Sequence, residues 1–330
     1  MITLLHGCFH VELTVGDLES ARDFMTDVLG AGPIEQRLAA EIQALLPRSG
    51  YRVDHLDCGQ ATFQVNQPPA ASGSYRGSKS VHQANLERIG PCVSNLNFYV
   101  DDIAHAQAML SGLGAAIRTE GPSTAVPSLA DYGPTNTRVG GDDRPFLFMG
   151  TRDLIGLDLE IMEPNFQRFA EQTAQYPCFS RPEAPRPGGA LRLERLQIAV
   201  PDLHSTYRNL VQIFAPASLS QPSQPEDQSK ARAFRVWLGG IELEYLRPSG
   251  QGEAVAAFLQ QYGPGVMTIE FSACDPAGIA SRSRTDWSLA SDRHLDPNDD
   301  LRSTWLIRSR EVVGFDVGLA HPANAFVVDG

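Results

Sequence analysis

One imidazole and two carboxylates occupy segments of the chain that alternate between polar and apolar residues. His10 and Glu12 lie two residues apart on one such segment, and Glu160 lies on another. Side chains two residues apart on a strand point to the same face, so His10 and Glu12 share a face. A carboxylate on an inward face needs a partner. We expect Glu160 to contact either a metal cation or an arginine such as Arg138 or Arg152.

Four segments of the chain repeat the pattern of a strand followed by a helix. Each has about six residues of alternating polarity, then an aspartate, then apolar residues at helical spacing. An aspartate at this position is a strong helix N-cap, because its carboxylate accepts the unpaired amide hydrogens of the first turn. The four strand segments begin at positions 10, 95, 195 and 268, and their aspartates are Asp17, Asp102, Asp202 and Asp275.

Each copy ends in a short strand. In the alignment of the four copies, a proline ends this strand four residues after an equivalent position. The equivalent positions hold Gln64, Glu160, Glu244 and Gly318, and the prolines are Pro68, Pro164, Pro248 and Pro322. The repeating unit is therefore a strand, a helix and several further strands. One such unit leaves a sheet face open, so we expect the units to pair around a cleft.

Charge and composition exclude several classes of partner. The 330 residues include 27 basic and 39 acidic side chains, for a net charge of -12. This balance argues against a nucleic-acid partner. No uncharged apolar stretch reaches the roughly 18 to 20 residues that a membrane-spanning helix needs, and the amino terminus does not resemble a signal peptide. We therefore expect a cytoplasmic protein without a membrane partner. The five cysteines are scattered and form no CxxC pair, which argues against a disulfide framework or structural zinc.

These repeats resemble the vicinal oxygen chelate superfamily, which includes glyoxalase I, bleomycin-resistance proteins, methylmalonyl-CoA epimerase and extradiol dioxygenases. The segment 10–30 is similar to the opening strand and helix of that family, and the segment 156–164 to its closing strand. The resemblance implies an α+β fold in which four βαβββ modules pair into two half-barrel, glyoxalase-like domains. We place these domains at residues 1–165 and 190–330, joined by a proline-rich linker at residues 166–189.

The resemblance also implies that metal ligands lie on the first and last strand of each module in a pair. In the first pair, these positions hold residues that can all donate an electron pair to a metal: His10, Gln64, Asn95 and Glu160. In the second pair, they hold Arg195, Glu244, Thr268 and Gly318. We therefore expect a metal site in the first domain only, and a degenerate site in the second whose Arg195, Glu244 and Glu270 pair with one another.

Further polar residues are expected to line the cleft beside the metal. Glu12 shares the face of His10, and Tyr99 shares the face of Asn95. Tyr99 is a candidate proton donor, and Glu12 or Glu160 a candidate acid or base. A hydrogen-bonded cleft wall is an equally valid interpretation of Glu12 and Tyr99. Three other histidines are expected at the surface, in a loop or in first helical turns: His82, His105 and His204.

This ligand set indicates the chemistry of the site. One histidine, one carboxylate and up to two amide oxygens favour Mn(II), Fe(II), Ni(II), Co(II) or Mg(II), with Zn(II) also allowed. Such an ion could chelate two neighbouring oxygens of a small organic substrate and stabilise an enolate-like intermediate, as a lyase or isomerase requires.

Two alternatives remain open at this point. An extradiol ring-cleaving dioxygenase would use Fe(II), but only one histidine occupies an aligned position, whereas the usual iron site has two. A metal-free small-molecule binding or resistance protein would need no ion at all. A homodimer is the working expectation for assembly.

Overall fold

The computed structural model describes most of both predicted halves of the chain. The described residues are 1–33, 52–58, 61–69, 81–118, 146–162, 191–220, 233–248, 254–282, 289–291 and 303–320. The predicted linker at residues 166–189 lies outside them. Within the described residues, no helix is long and apolar enough to cross a membrane.

The first half of the chain forms one sheet of eight strands. They are β1 (Leu4–Thr14), β2 (Gly32–Pro33), β3 (Arg52–Cys58), β4 (Ala61–Gln67), β5 (Cys92–Val100), β6 (Ala116–Arg118), β7 (Phe146–Gly150) and β8 (Asp158–Met162). Their order in the sheet is β2-β3-β4-β1-β5-β8-β7-β6. The central strands β1 and β5 are antiparallel, and each has a parallel neighbour, β4 and β8 respectively. The sheet therefore consists of two similar four-strand units that lie side by side and are joined through β1 and β5.

The second half of the chain repeats this topology. Its strands are β9 (Arg192–Ala199), β10 (Leu219–Ser220), β11 (Ala233–Leu238), β12 (Ile241–Leu246), β13 (Gly265–Ser272), β14 (Leu289–Ser291), β15 (Ser303–Ile307) and β16 (Asp316–Ala320). They are ordered β10-β11-β12-β9-β13-β16-β15-β14. The predicted fold of four βαβββ modules, paired two by two, is confirmed. The assignment of residues 1–165 and 190–330 to separate domains stays a prediction.

The helices connect the strands of each module or lie between modules. They are α1 (Leu18–Asp23, continued by a π-helical turn at Phe24–Val28), α2 (Val81–Ile89), α3 (Ile103–Gly112), α4 (Arg152–Ile155), α5 (Leu203–Ile213), α6 (Ala254–Tyr262), α7 (Pro276–Arg282) and α8 (Arg310–Val313). The predicted caps are confirmed, because all four aspartates accept a hydrogen bond from an amide of the following first turn. Helix α2 falls in a stretch for which the sequence pattern predicts no element.

One continuous hydrophobic core joins the apolar faces of both sheets. Phe63 of β4 stacks on Phe315, with ring centroids 6.3 Å apart, and also packs against Phe271 of β13. Gly314, at the end of α8, has a φ of +88°, and a β-carbon there would overlap the backbone of Cys92. The apolar faces are thus buried against each other, and the opposite faces of the two sheets carry the polar side chains.

Candidate metal centre

The predicted ligands lie on four adjacent strands of the first sheet. His10 is on β1, Gln64 on β4, Asn95 on β5 and Glu160 on β8. The register places Glu12 beside both Gln64 and Asn95, and Asn97 beside both His10 and Glu160. We call the side of the sheet that carries these residues the first polar face.

His10 and Glu160 meet at the centre of this face. His10 Nε2 lies 3.3 Å from Glu160 Oε2, and the two residues are 4% and 6% exposed. Neither ring nitrogen of His10, nor Oε2 of Glu160, has a well-oriented hydrogen-bond partner among the described residues. Glu12 completes a group of three, whose potential ligand atoms all lie within 4.8 Å of one another. A buried imidazole and two buried carboxylates at this separation are a suitable ligand set for a divalent cation.

Glu12 is held by side-chain donors on several sides. Its Oε1 accepts hydrogen bonds from Gln64 Nε2 at 2.8 Å and Asn66 Nδ2 at 3.0 Å, and its Oε2 accepts one from Asn95 Nδ2. His82 Nε2 lies 3.3 Å from Oε1. Burial raises the pKa of Glu12, but the charge and hydrogen bond of His82, with help from His10 and Asn95, outweigh it and leave the pKa lowered. Glu12 is therefore a persistent anion.

Gln64 and Asn95 differ in how their amide oxygens are used. Gln64 Oε1 lies 3.0 Å from His55 Nε2, so the amide is oriented with its nitrogen toward Glu12. Burial, with a smaller contribution from the charge of His10, lowers the pKa of His55 to about 4, so this ring is neutral at pH 7. The Oδ1 atom of Asn95 has no partner among the described residues. Metal ligation by Gln64 and Asn95 stays a prediction.

An aromatic wall borders the His10–Glu160 pair. The ring centroid of Phe9 lies 5.2 Å from that of Tyr99 and 5.4 Å from that of His10. Phe148, directly across from Glu160 on β7, contacts the His82 ring edge-on. All three aromatic residues are buried. The role of Tyr99 as a proton donor stays a prediction, but the structure places its ring next to the candidate ligands.

The first part of the chain matches the model of a known protein family. A model described as the Glyoxalase/Bleomycin resistance protein/Dioxygenase superfamily matches residues 7–132. This part of the chain is similar to that superfamily. The resemblance that the repeats predict is thereby confirmed, and the matched segment contains every candidate site residue on β1, β4 and β5.

Solved structures extend the likeness to the whole fold. A triple mutant of 4-hydroxymandelate synthase from Streptomyces coelicolor is 17% identical, covers 98% of this chain and 95% of its own, and has a TM-score of 0.56. A catechol 2,3-dioxygenase structure is 13% identical, covers 98% and 91%, and has a TM-score of 0.50. No curated protein matches the sequence significantly. At these identities the likeness shows the shared four-module fold, not a shared reaction.

His82 is the main residue of the candidate site that sequence reasoning missed. The expectation that it lies at the surface is wrong, because it is buried at the start of α2 and contacts Glu12 and Thr14. His105 and His204 are exposed, as expected. A repeat signal was present: α2 and α6 both end at a Gly-Pro pair directly before a central strand, at residues 90–91 and 263–264. Recognising that pair would have predicted a helix carrying His82.

We call the polar side of the second sheet the second polar face. Its buried carboxylates are paired with a buried cation of the chain itself. Arg195 is completely buried, and its guanidinium lies 2.6 Å from Glu270 and 3.2 Å from Glu244. Gln197 Nε2 donates to the other oxygen of Glu244 at 2.7 Å. The expected pairing of these residues is confirmed. Among the described residues, no cluster of three potential ligands occurs on this face.

Proposed function

We propose that this protein is a metal-dependent enzyme of the lyase or isomerase type, with its site on the first polar face. His10, Glu12 and Glu160 would hold the ion. The observation that carries the proposal is that His10 Nε2 and Glu160 Oε2 lie 3.3 Å apart, both buried and without a well-oriented hydrogen-bond partner among the described residues. These are the atom types that coordinate divalent metals in proteins.

The charge balance of the two polar faces supports this proposal. On the second polar face, the buried carboxylates of Glu244 and Glu270 are neutralised by the guanidinium of Arg195. On the first face, Glu12 and Glu160 are equally buried, and the charged or titratable groups that contact them among the described residues are His10 and His82. Burying two carboxylates without a full counter-charge is costly. A divalent cation would supply on the first face the positive charge that Arg195 supplies on the second.

The donor set fits a hard or borderline divalent ion. One imidazole and two carboxylates suit Mn(II), Fe(II), Co(II), Ni(II) or Mg(II), with Zn(II) also allowed. When bound, the ion would act as a Lewis acid on two neighbouring oxygens of a small organic substrate. His10 and Glu12 would position it, and the aromatic wall formed by Phe9 and Phe148 would exclude bulk water.

The two carboxylates have different roles in this proposal. Glu12 already accepts hydrogen bonds from three amides and contacts His82, so its carboxylate is fixed in position. Glu160 Oε2 has no such partner among the described residues. Glu160 is less constrained, so it is the carboxylate that would leave the ion to take up and return a substrate proton. Glu12 fixes the charge of the site.

Metal content tests the proposal directly. We would purify the untagged wild type alongside His10→Ala and Glu160→Ala, reconstitute each anaerobically, and measure bound metal by ICP-MS. The matched control is Gln197→Leu, which alters a buried polar residue of the second polar face. We expect about one metal per chain in the wild type and the control, and loss in both site variants. Metal-free wild type after reconstitution would contradict the proposal and favour a binding protein.

A ring-cleaving dioxygenase is the second candidate. Its support is the likeness of fold to catechol 2,3-dioxygenase over 98% of this chain. The ligand group of one histidine and two carboxylates argues against it, since non-haem iron oxygenases typically use two histidines and one carboxylate. Oxygen uptake by the Fe(II)-loaded protein with catechols would favour this candidate. Deuterium exchange of a proton next to a substrate carbonyl, lost in Glu160→Gln, would favour the lyase or isomerase.

A further inference from the structure

Four amide side chains from the strands lie on the first polar face, and one of them has a different environment. Gln64, Asn66 and Asn95 all donate to Glu12. Asn97 does not. It is completely buried, and neither its Oδ1 nor its Nδ2 has a hydrogen-bond partner among the described residues. Buried amides are normally satisfied, so an amide with both atoms unpaired indicates a missing partner.

The position of Asn97 indicates where that partner lies. Asn97 is on β5, directly opposite His10 on β1 and directly beside Glu160 on β8. Neighbouring strands are about 4.8 Å apart, and paired side chains point to the same face. Asn97 therefore occupies the strand position next to both His10 and Glu160, which we propose as metal ligands.

The surroundings leave few other polar groups for a ligand to meet there. Phe9 and Tyr99 stack edge-on against each other next to His10, and Phe148 lies across from Glu160. The amide nitrogens of the other three amides donate to Glu12, so among these four side chains only Asn97 has both a donor and an acceptor unpaired within the described residues. A ligand that enters beside the ion and this aromatic wall could pair with both atoms, in surroundings where a hydrogen bond has little competition from water.

We propose that Asn97 orients the substrate and selects molecules that carry a hydroxyl next to a carbonyl or carboxylate. Nδ2 would donate to the carbonyl oxygen, and Oδ1 would accept from the hydroxyl. A carboxamide offers one donor side and one acceptor side, so it matches a pair of neighbouring oxygens of which only one carries a proton. This inference rests on the proposed metal site, and Asn97 acts by positioning rather than by transferring a proton.

Two small acids probe this selectivity. Glycolate has a hydroxyl next to its carboxylate and can use both sides of the carboxamide, whereas oxalate has only acceptors and can use the Nδ2 donor alone. We would titrate each acid into the Co(II)-loaded protein and follow the visible absorption of the ion. The Asn97→Leu variant should weaken glycolate by about 30-fold and oxalate by about 5-fold, on the basis of two lost hydrogen bonds against one. The Gln197→Leu control should change neither affinity.

Folding and metal content separate this role from others. Because the amide is unpaired, Asn97→Leu should unfold at the wild-type temperature or above it before metal is added. If it does not fold, Asn97→Ser serves in its place. A variant that loses cobalt would show that Asn97 is a metal ligand and would overturn the proposal. A variant that keeps cobalt and the wild-type ratio of glycolate to oxalate affinity would also overturn it. A wild type that binds no cobalt would instead remove the metal site, and this role with it.

Discussion

Replacing Arg195 with methionine tests whether a buried cation holds the second polar face together. Arg195 is completely buried and bridges Glu270 at 2.6 Å and Glu244 at 3.2 Å. Methionine retains most of the volume of the side chain but removes its charge and all of its donors. The substitution therefore leaves two buried carboxylates without their shared counter-charge.

The expected cost follows from what remains around each carboxylate. Glu244 keeps a hydrogen bond from Gln197 at 2.7 Å and an ion pair with Arg235 at 2.9 Å, and Arg235 is partly exposed. Glu270 is 2% exposed and loses its ion pair with Arg195. Breaking a buried pair by removing one partner typically costs about 3–5 kcal/mol. Because Glu244 is partly compensated, we expect a value near the lower end, about 3 kcal/mol.

A double-mutant cycle measured by urea unfolding checks this reasoning. Arg195→Met should lower the free energy of unfolding by about 3 kcal/mol, and the double variant Arg195→Met/Glu270→Met should recover at least about 1 kcal/mol of that loss. Metal content should be unchanged in both. A single-variant cost below about 1 kcal/mol, or a double variant less stable than Arg195→Met, would refute the idea that the guanidinium is the cation of this face.

Three further predictions concern the metal, pH and packing between the sheets. Mn(II) at 100 times its dissociation constant should stabilise the wild type by about 2.7 kcal/mol in thermal unfolding, and EDTA or His10→Ala should abolish the shift. The pKa of His55 falls to about 4 on folding, so only the unfolded state gains a proton at this residue as the pH drops from 6.5 to 4. The free energy of unfolding should therefore fall by roughly 3 kcal/mol over this range, and His55→Gln should reduce this pH dependence. Gly314→Ala should lower the free energy of unfolding by about 3 kcal/mol, because the new β-carbon would overlap Cys92. The control Gly90→Ala, also at positive φ but in open space, should lower it by about 1 kcal/mol. Equal losses in the two variants would contradict the clash.

The fold was predictable because its determinants are local and repeated four times. Asp17, Asp102 and Asp202 cap helices that follow strands of alternating polarity, and each cap forms within a few residues of sequence. Helix α2 was not predictable in this way, since it lacks a capping aspartate and occurs only once in each pair of modules. Its sole local signal is the Gly-Pro pair that ends it, which recurs after α6.

The candidate site was predictable only in part, because hydrogen bonds between distant segments orient its side chains. The repeat alignment finds the strand positions of His10 and Glu160, which the structure brings within 3.3 Å. It cannot show that Gln64 turns its nitrogen toward Glu12, since that orientation depends on His55 of the neighbouring strand. It also cannot show that His82 reaches Glu12, because 70 residues separate them in sequence.

The two polar faces differ in the groups that balance their buried carboxylates. The sheets have the same topology, but these carboxylates lie on different strands, Glu12 and Glu160 on β1 and β8 and Glu244 and Glu270 on β12 and β13. On the second face, the position that corresponds to His10 holds Arg195, so the chain itself supplies a cation to both carboxylates. On the first face, His10 occupies that position beside Glu160, and in our proposal a metal ion supplies the counter-charge. The residue at this repeated position, together with the placement of the carboxylates, thus distinguishes the ion-pair network of the second face from the proposed metal site of the first.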